Sequence, residues 1–467
     1  MRTKLFALLL VVSILLGACA PAPASPVAEP ETIIETVVVE TVKTVEVEKP
    51  VEVEVLVTPT PGPNPEAVIQ GVEPDAEITF WTFFLSPTFD DYINSTVARF
   101  EAAYPGVTVN VEDHQATFQD DLRNAFAANQ APDVINLSIS EGWVSDYATQ
   151  GLLLELDDVV PQEVVDQYFP NLWDQQLVDG KHYQFPWYQG IQVELINRQI
   201  YDQTGLTIED FPTTVDGLPA LCQTIKDTTG TLCDIRLTTN DLLAQMTYEG
   251  GVQVINEAGT EFTFDSPEAV EWLQMYVDMV QAGTVDRTVL VTDQDRAGLD
   301  LFTTGQAAFY NTGPNLIREV RANNPGLYGY LAVVNAPVGK SGVNGKGLMA
   351  ISVKADTPYP MASIALAQFF TNPQSMLEFA KVVAIYPSTP ASYDDPFFST
   401  PPVAIEDSAK PYAKEAVSQL ADILPTIPHK AEVNDIVLQA IQQALFNNVD
   451  PQTALSGAVE QANALLP

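Results

Sequence analysis

Hydrophobic and polar residues alternate in the stretch EITFWTF, residues 77–83, and this period of two is typical of a β-strand. Residues 107–112 alternate in the same way, and residues 132–138 form a third strand-like run. Two stretches with the apolar spacing of a helix separate these strands, and Pro105-Gly106 ends the first of them. Because β-α-β connections are right-handed, this order predicts one parallel sheet with helices on its faces.

Two strands of this predicted sheet lead into aromatic and acidic residues. The first runs into Trp81, Phe83 and Phe84, and the third is followed by Glu141 and Trp143. Ligands of parallel α/β sheets bind at the carboxyl ends of the strands. We therefore predict a ligand cleft at this edge of the sheet.

The second half of the chain repeats the alternation of helices and strands. Ser266-Pro267 predicts the start of a helix that ends before Gly283. Shorter patterns predict strands near 307–311, 330–334 and 348–353, and helices near 299–304, 361–370, 374–383 and after Val433. The chain is therefore predicted to be an α/β protein long enough for two domains. No pattern places residues 396–432.

The stretch KHYQFPWYQGIQVELINRQIY, residues 181–201, mixes aromatic residues with amides. The rings would fill a core, but the amides beside them are costly to bury without partners. A wet and partly apolar cleft accommodates both kinds of side chain. We therefore expect Trp187, Tyr188 and Gln189 to line such a cleft.

The N-terminus has the layout of a secretory signal. Arg2 and Lys4 precede an apolar run that ends at Leu16, and residues 1–18 are predicted to be removed as a signal peptide. The stretch LGAC resembles the lipobox of bacterial lipoproteins, in which the cysteine, here Cys19, carries lipid. The alternative is a signal cut near Ala20 without lipid. In either case the protein is expected to be exported, and the lipid would hold it at the outer face of the cell membrane.

Residues 19–75 differ in composition from the rest of the chain. Pro-rich segments flank a run in which valine and glutamate alternate, with Lys49-Pro50 as the break. Its charge and prolines oppose compact packing, so we predict a tether between the lipid anchor and the folded body. An edge strand added to the body is the alternative.

Charge excludes one class of partner. The chain has 61 acidic and 21 basic residues, and its formal net charge is −40. No basic stripe is present to neutralise phosphates, so a nucleic-acid partner is not expected. Neutral or cationic ligands should approach such a surface more easily than anions.

Cysteine usage agrees with export. With Cys19 lipidated, Cys222 and Cys233 remain as an even pair in CQTIKDTTGTLC. A disulfide between them is expected in an oxidising compartment, and two free buried thiols are the alternative.

Several stretches, in this order along the chain, resemble the extracellular solute-binding proteins of family 1, lipoprotein receptors that deliver sugars and related solutes to ABC importers. They are ITFWTFF, FEAAYPGVTVNVE, APDVINLS with GLLLELDD, GKHYQFPW with ELINRQIYDQTGL, FDSPEAVEWLQMYVDMVQAG, FTTGQAAFYNTGP, and FFTNPQSMLEFA with YPSTPAS.

The resemblance implies a two-lobed periplasmic-binding-protein-like fold with a mainly parallel sheet in each lobe and several hinge crossings. Residues 76–191 and 349–384 would form lobe 1, and residues 192–348 and 385–467 would form lobe 2. A monomer would bind its solute between the lobes and present it to the permease subunits of the importer.

A sugar site needs flat apolar rings against the C–H faces of the solute and polar groups for its hydroxyls. The resemblance of NTGP and YPSTPAS to cleft segments of the family adds Gly313 and Tyr386 to the candidates. The full candidate set is Trp81, Phe83, Phe84, Glu141, Trp143, Trp187, Tyr188, Gln189, Tyr248, Glu249, Gly313, Asn315, Lys346 and Tyr386.

Other functions fit the sequence less well. The three histidines lack the spacing of metal ligands, so neither a metal nor another cofactor is expected. A glycoside hydrolase would need a carboxylate pair, for which Glu141 and Glu249 are the candidates. A surface adhesin or sensor would need an open groove. Within the receptor class, a polyol, a polyamine or a glycerophosphodiester remains an alternative to a sugar.

Overall fold

The computed structural model describes residues 66–466, apart from residues 234, 238, 240, 288–296 and 426. The predicted signal peptide, Cys19 and the tether as far as residue 65 lie outside the described residues.

Ten short strands are present in the described residues. In chain order they are β1 (Glu77–Phe83), β2 (Thr108–His114), β3 (Val134–Ser138), β4 (Phe185–Pro186), β5 (Tyr188–Gln189), β6 (Val193–Asn197), β7 (Phe309–Thr312), β8 (Leu331–Asn335), β9 (Met349–Val353) and β10 (Tyr386–Pro387).

Helices connect and cover these strands. They are α1 (Asp90–Ala103), α2 (Phe118–Ala127), α3 (Trp143–Thr149), α4 (Gln162–Val165), α5 (Pro170–Trp173), α6 (Arg198–Tyr201), α7 (Leu218–Thr229), α8 (Leu242–Gly250), α9 (Pro267–Gln281), α10 (Ala297–Thr303), α11 (Ile317–Asn323), α12 (Pro325–Tyr328), α13 (Pro360–Thr371), α14 (Pro373–Val382), α15 (Pro396–Ser399), α16 (Ala413–Ser418), α17 (Lys430–Asn447) and α18 (Pro451–Asn463).

The first sheet has the order β2-β1-β3-β9-β4. Strand β1 pairs in parallel with β2 and β3, as the β-α-β-α-β pattern predicts, whereas β9 returns antiparallel between β3 and β4. Helix α13 covers this sheet and is buried on almost all sides, which explains why its sequence is apolar all round. Its Phe370 ring lies edge-on against Phe80 of β1, with centroids 5.1 Å apart.

The second sheet has the order β7-β6-β8, and both of its pairings are antiparallel. The prediction of a mainly parallel sheet in each lobe is therefore wrong for this lobe. Parallel pairing is reduced to isolated bridges such as Leu232 with Ala307 and Cys233 with Val285. Alternating residues fix which face of a strand is buried, but they do not encode the direction of its neighbour.

Three segments cross between the two sheets, and Gln189 joins all of them. Its strand β5 pairs with β10, while its amide nitrogen donates to Ser388 Oγ at 2.7 Å. Its amide oxygen accepts from the Leu348 backbone N–H at 2.6 Å. Gln189 is fully buried, and both ends of its amide bind neighbouring protein segments. We therefore withdraw it as a ligand-binding candidate.

Residues 396–424, which no sequence pattern placed, pack along the second lobe and reach the first. Phe398, Val417 and Leu420 share an apolar cluster with Phe169 of the first lobe's range. Further along, Asn171 donates its side-chain amide to the carbonyls of Val417 and Leu420 at 3.1 and 2.6 Å. This segment therefore contacts both lobes.

The folded body begins earlier than the sequence indicated. Ile69 is buried in the core of the first lobe, and Glu66 forms a salt bridge with Arg99 at 2.7 Å. Glu73 accepts hydrogen bonds from the first turn of α13, at Met361 and Ala362. The predicted end of the tether at residue 75 is therefore wrong, because residues 66–75 are anchored to the body.

Local signals otherwise behave as the sequence predicts. The Ser266 hydroxyl accepts a hydrogen bond from the Ala269 N–H and caps α9, which starts with Pro267. Cys222 and Cys233 lie at bonding distance, with Cα atoms 5.7 Å apart. Within the described ranges, no helix is long and apolar enough to cross a membrane.

Candidate functional site

A cleft of about 870 Å³ lies where the crossing segments meet. Its volume falls within the range of about 300–1,000 Å³ that is typical of small-molecule sites. Both lobes contribute to it, as the described residues of its lining show: Thr88, Phe89, Ser140, Gly190, Ile191, Gln192, Asp241, Ala244, Tyr248, Thr312, Gly313, Pro314, Asn315, Leu316, Arg318, Asn344, Gly345, Lys346, Leu348, Val383, Ala384, Ile385, Leu420 and Leu424.

Two aromatic rings lie in this lining, Phe89 from the first lobe and Tyr248 from the second. Phe89 precedes α1, and Tyr248 belongs to the last turn of α8. The Tyr248 hydroxyl donates to the carbonyl of Ala421 at 3.3 Å, which fixes the ring. Burial raises the pKa of the Tyr248 hydroxyl well above its usual value, and nearby Asp422 adds to this shift. Tyr248 is therefore a neutral, amphipathic surface at ordinary pH.

Three amide side chains contribute to the polar lining. Gln192 and Asn315 are exposed to the cleft, and Asn344 is half-buried with its amide donating to Gln419 Oε1 at 3.1 Å. Amides offer both donors and acceptors, so such a lining matches hydroxyl groups. Gly313 lies beside Asn315, and a Cβ on this glycine would come within 2.5 Å of Asn315 Oδ1. Glycine is therefore required there for the amide to keep its position.

Asp241 is the carboxylate of the cleft lining. Its side chain caps α8 by accepting from the Ala244 N–H at 3.3 Å, and it forms a salt bridge with Lys430 at 2.9 Å. A cap and an ion pair thus occupy both oxygens of this group.

A smaller pocket of about 200 Å³ adjoins the cleft and shares Gln192, Tyr248 and Asn344 with it. Arg236 lies in its wall and forms salt bridges with Glu194 and Glu249. Asn311 also donates to Glu194, at 2.9 Å.

Glu249 has further partners. Tyr276 donates its hydroxyl to Glu249 Oε2 at 2.7 Å, and Trp272 Nε1 donates to the same oxygen at 3.3 Å. Both of its oxygens bind the protein, so we withdraw Glu249 as a group that meets solute hydroxyls. The same contacts oppose a role in glycoside hydrolysis, because a catalytic carboxylate must reach the substrate.

The structure corrects the placement of Trp187 and its neighbour. Trp187 is fully buried and packs on Tyr188, Phe370 and Phe379, with ring centroids 5.0, 6.0 and 5.8 Å away. Tyr188 has 8% of its surface exposed and belongs to the same core. Phe370 of α13 and Phe379 of α14 pack against the Trp187 ring, and Phe379 also lies edge-on to Tyr188. Neither ring is presented to the cleft.

Tyr386 is also a core residue. It is 2% exposed and packs in the apolar cluster of the second lobe, beside a separate pocket of about 160 Å³. The resemblance of YPSTPAS to a cleft segment therefore does not carry over to this ring. Its neighbours Val383, Ala384 and Ile385 line the cleft instead.

Trp81, Phe83 and Trp143 form an aromatic cluster with His114 and Phe118 at the carboxyl end of β1. The Trp81 ring lies 4.2 Å from His114, and Phe83 lies 4.7 Å from Phe118 and 5.3 Å from Trp143. Trp81 and Phe83 are half-buried, whereas Trp143 is buried. Trp81 thus packs on His114, whereas Phe83 and Trp143 pack on each other and on Phe118. The role of these three rings in binding stays a prediction.

Phe84 differs from these rings because 59% of its surface is exposed. Its backbone has φ of 55°, a left-handed conformation that is uncommon for a phenylalanine. Strained backbone of this kind occurs often at ligand sites. Glu141 is exposed next to the cleft residue Ser140. For both residues ligand binding stays a prediction.

The cleft thus contains Tyr248, Gly313, Asn315 and Lys346 of the predicted set. Sequence reasoning missed Phe89, Gln192, Asp241, Asn344 and Arg318, which lie on loops and helix ends that are remote from one another in the chain. Two of these residues had a signal in the sequence, namely their closeness to segments that were predicted to line the cleft. Phe89 follows the predicted first strand, and Arg318 follows NTGP. Among the described residues, no cluster of histidine, cysteine or acidic side chains has the arrangement of a metal site.

Two α/β lobes around a shared cleft define a class of proteins that hold a small solute between their lobes. Residues 86–377 match the model of the bacterial extracellular solute-binding proteins. This chain therefore belongs to that family, and as one of its members it is exported.

Similar proteins agree with this assignment. A protein of Brucella abortus strain 2308 named as a binding protein is 24% identical over 385 residues, 80% of this chain and 90% of the relative. An arabinooligosaccharide-binding protein of Halalkalibacterium halodurans is 26% identical over 217 residues, 45% of this chain and 47% of the relative. The sugar-binding protein MalE of Xanthomonas citri has a TM-score of 0.68 at 20% identity, over 84% of this chain and 97% of that one. The likeness to MalE shows the two-lobed periplasmic-binding fold.

Proposed function

We propose that this protein is an extracytoplasmic receptor that binds a sugar or oligosaccharide in the cleft and delivers it to the permease subunits of an ABC importer. The observation that carries the proposal is the cleft lining, in which the rings of Phe89 and Tyr248 lie among amide side chains. Rings match the apolar faces of a sugar, and amides match its hydroxyls. The similarity to an arabinooligosaccharide-binding protein and to MalE supports the same solute class.

Hinge closure is the proposed mechanism. A solute that contacts both lobes stabilises the closed state only by the difference between its affinities for the closed and open states. The permease would bind the closed form of a monomeric receptor. No bond of the solute is broken in this mechanism, and no cofactor takes part in it.

A screen of sugars tests the proposal. At a concentration 100 times its dissociation constant, a bound sugar should stabilise the protein by about 2.7 kcal/mol, which a thermal-shift measurement detects. Tyr248→Ala should weaken binding of that sugar by about 10-fold or more, because the ring face is lost. The control is Tyr330→Ala, since Tyr330 is 51% exposed and lies outside the cleft lining.

The same screen decides between solute classes. Polyols, polyamines and glycerophosphodiesters are included, and stabilisation by one of these alone would replace the sugar proposal.

Small-angle scattering of the ligand-bound protein should show a smaller radius of gyration than that of the free protein. Binding without any compaction would contradict hinge closure and favour a sensor or adhesin with an open groove.

We further propose that Cys19 carries lipid and anchors the protein to the outer face of the membrane. Each buried methylene of an acyl chain contributes about 0.8 kcal/mol, so acylation should place the protein in the membrane fraction. Metabolic labelling with a fatty acid should mark the wild-type protein and not Cys19→Ser. Unlabelled wild-type protein in the soluble fraction would contradict the anchor and indicate a signal cut without lipid.

A further inference from the structure

Cations are scarce in this chain, and nearly all of those described have an anionic or carbonyl partner. Most lysine and arginine side chains form salt bridges. Lys226 and Arg287 donate to backbone carbonyls instead. In the described part of the chain, only Arg318 and Lys346 make neither kind of contact.

Both of these cations line the cleft. Arg318 lies in the first turn of α11, directly after the segment that contains Gly313 and Asn315, and its side chain is exposed. Lys346 lies on the crossing between β8 and β9 and is half-buried. The protein has 61 acidic residues, yet no salt bridge in the described part of the chain neutralises these two charges at the solute site.

In the described part of the chain, the acidic groups near these cations form no salt bridge with them. Asp241, the carboxylate of the lining, pairs with Lys430 and caps α8. Asp422 lies near Lys346; its Oδ2 accepts a hydrogen bond from Gln176, and its Oδ1 has no hydrogen-bond partner among the described residues. Burial raises the pKa of Asp422, while Lys346 and the bond from Gln176 oppose that shift. In the adjoining pocket, Arg236 pairs with the two carboxylates described above.

We propose that Arg318 and Lys346 receive an acidic group of the solute, so that the cleft prefers a saccharide bearing a carboxylate or sulfate over its neutral counterpart. This inference rests on the proposed function and narrows its solute class. A guanidinium offers a planar fork of donors that matches a carboxylate or sulfate, and an ammonium adds a point charge. The acidic surface of the protein repels an anionic solute, but salt screens this repulsion at distances beyond about 10 Å. The contacts with Arg318 and Lys346 are shorter than that distance and are screened much less.

The inference is tested by measuring dissociation constants by calorimetric titration. The protein that is titrated keeps its natural N-terminus. The probes are short oligouronates, short sulfated oligosaccharides, and the uncharged oligosaccharide of the same sugar. One acidic probe should bind about 10-fold or more tightly than its neutral counterpart. If the oligouronates bind more tightly, the preferred acidic group is a carboxylate, and if the sulfated oligosaccharides do, it is a sulfate.

Matched variants assign the effect to the two cations. Arg318→Gln and Lys346→Gln should each weaken binding of the acidic probe by about 10-fold, and should change binding of the neutral probe by less than about 3-fold. The control is Arg321→Gln on the same helix, because Arg321 pairs with Glu406 and lies outside the cleft lining. Equal melting temperatures of the variants show that the folded state is retained.

The possible failures are distinct. If neutral oligosaccharides bind as tightly as the acidic ones, or if the variants weaken both alike, the inference is overturned and the receptor function stands. If no saccharide of either kind binds, the proposed function fails and the inference fails with it.

Discussion

Replacing Arg236 by glutamine should destabilise the protein by about 3–5 kcal/mol, because it leaves buried carboxylates without their cation. The Glu194 side chain is fully buried, and that of Glu249 is 11% exposed. Arg236 is itself only 8% exposed and binds both of them. The Arg236 backbone has φ of 60°, which is strained for arginine and glutamine alike. The expected loss of stability therefore comes from the removed charge and not from a change in backbone strain.

Equilibrium unfolding in urea measures this loss. The control is Arg198→Gln, because Arg198 forms an exposed i,i+4 pair with Asp202 that should contribute about 0.5 kcal/mol or less. Adding Glu194→Gln to Arg236→Gln should recover part of the lost stability, since one uncompensated charge is then removed. If Arg236→Gln lost as little stability as the control, the ion pairs of Arg236 with Glu194 and Glu249 would not behave as a buried ion cluster.

Trp187→Ala should cost about 3–5 kcal/mol of stability, the range for removing a large aromatic side chain from a core. The ring is fully buried among Tyr188, Phe370 and Phe379, so its removal leaves a cavity that the sheet and α13 cannot close. The sequence alone placed this ring in the cleft, where its removal would weaken solute binding instead.

The unfolding midpoint and the sugar affinity of this variant are measured together. Tyr330→Ala is the matched control, because Tyr330 is 51% exposed, lies outside the cleft lining, and its removal should change stability by about 0.5 kcal/mol or less. An unchanged midpoint for Trp187→Ala, combined with weaker binding, would return Trp187 to the cleft.

Local structure was largely predictable because its signals are local. The alternation of residues 77–83, the cap at Ser266 and the stop at Pro105-Gly106 act within a few residues, and β1, α9 and the end of α1 follow them. The apolar content and the acidic charge are likewise properties of the sequence alone and do not depend on the fold. The family also followed from the sequence, since the order of the quoted stretches persists where single motifs differ.

The site was only partly predictable. An aromatic residue after a strand has the same sequence signature whether it faces a cleft or a core. Trp187 became a core residue because Phe370 and Phe379, which are distant in the chain, pack against its ring. Tyr386 became one because it joins an apolar cluster with Phe169 and Phe302. Tyr248 and Lys346 line the cleft, although nothing near them in sequence distinguishes them from surface residues.

The sequence by itself determined several of the longer helices and most strands, the α/β class, the acidic character and the family of this protein, because each depends on residue type and short-range spacing. Only the tertiary structure decided the antiparallel pairing of β6, β7 and β8, the role of Gln189 in joining the crossings, and the presence of Phe89, Asn344 and Arg318 in one cleft. These features depend on which distant segments meet. Contacts between distant segments are set by packing of the whole chain and leave no periodic trace in the sequence.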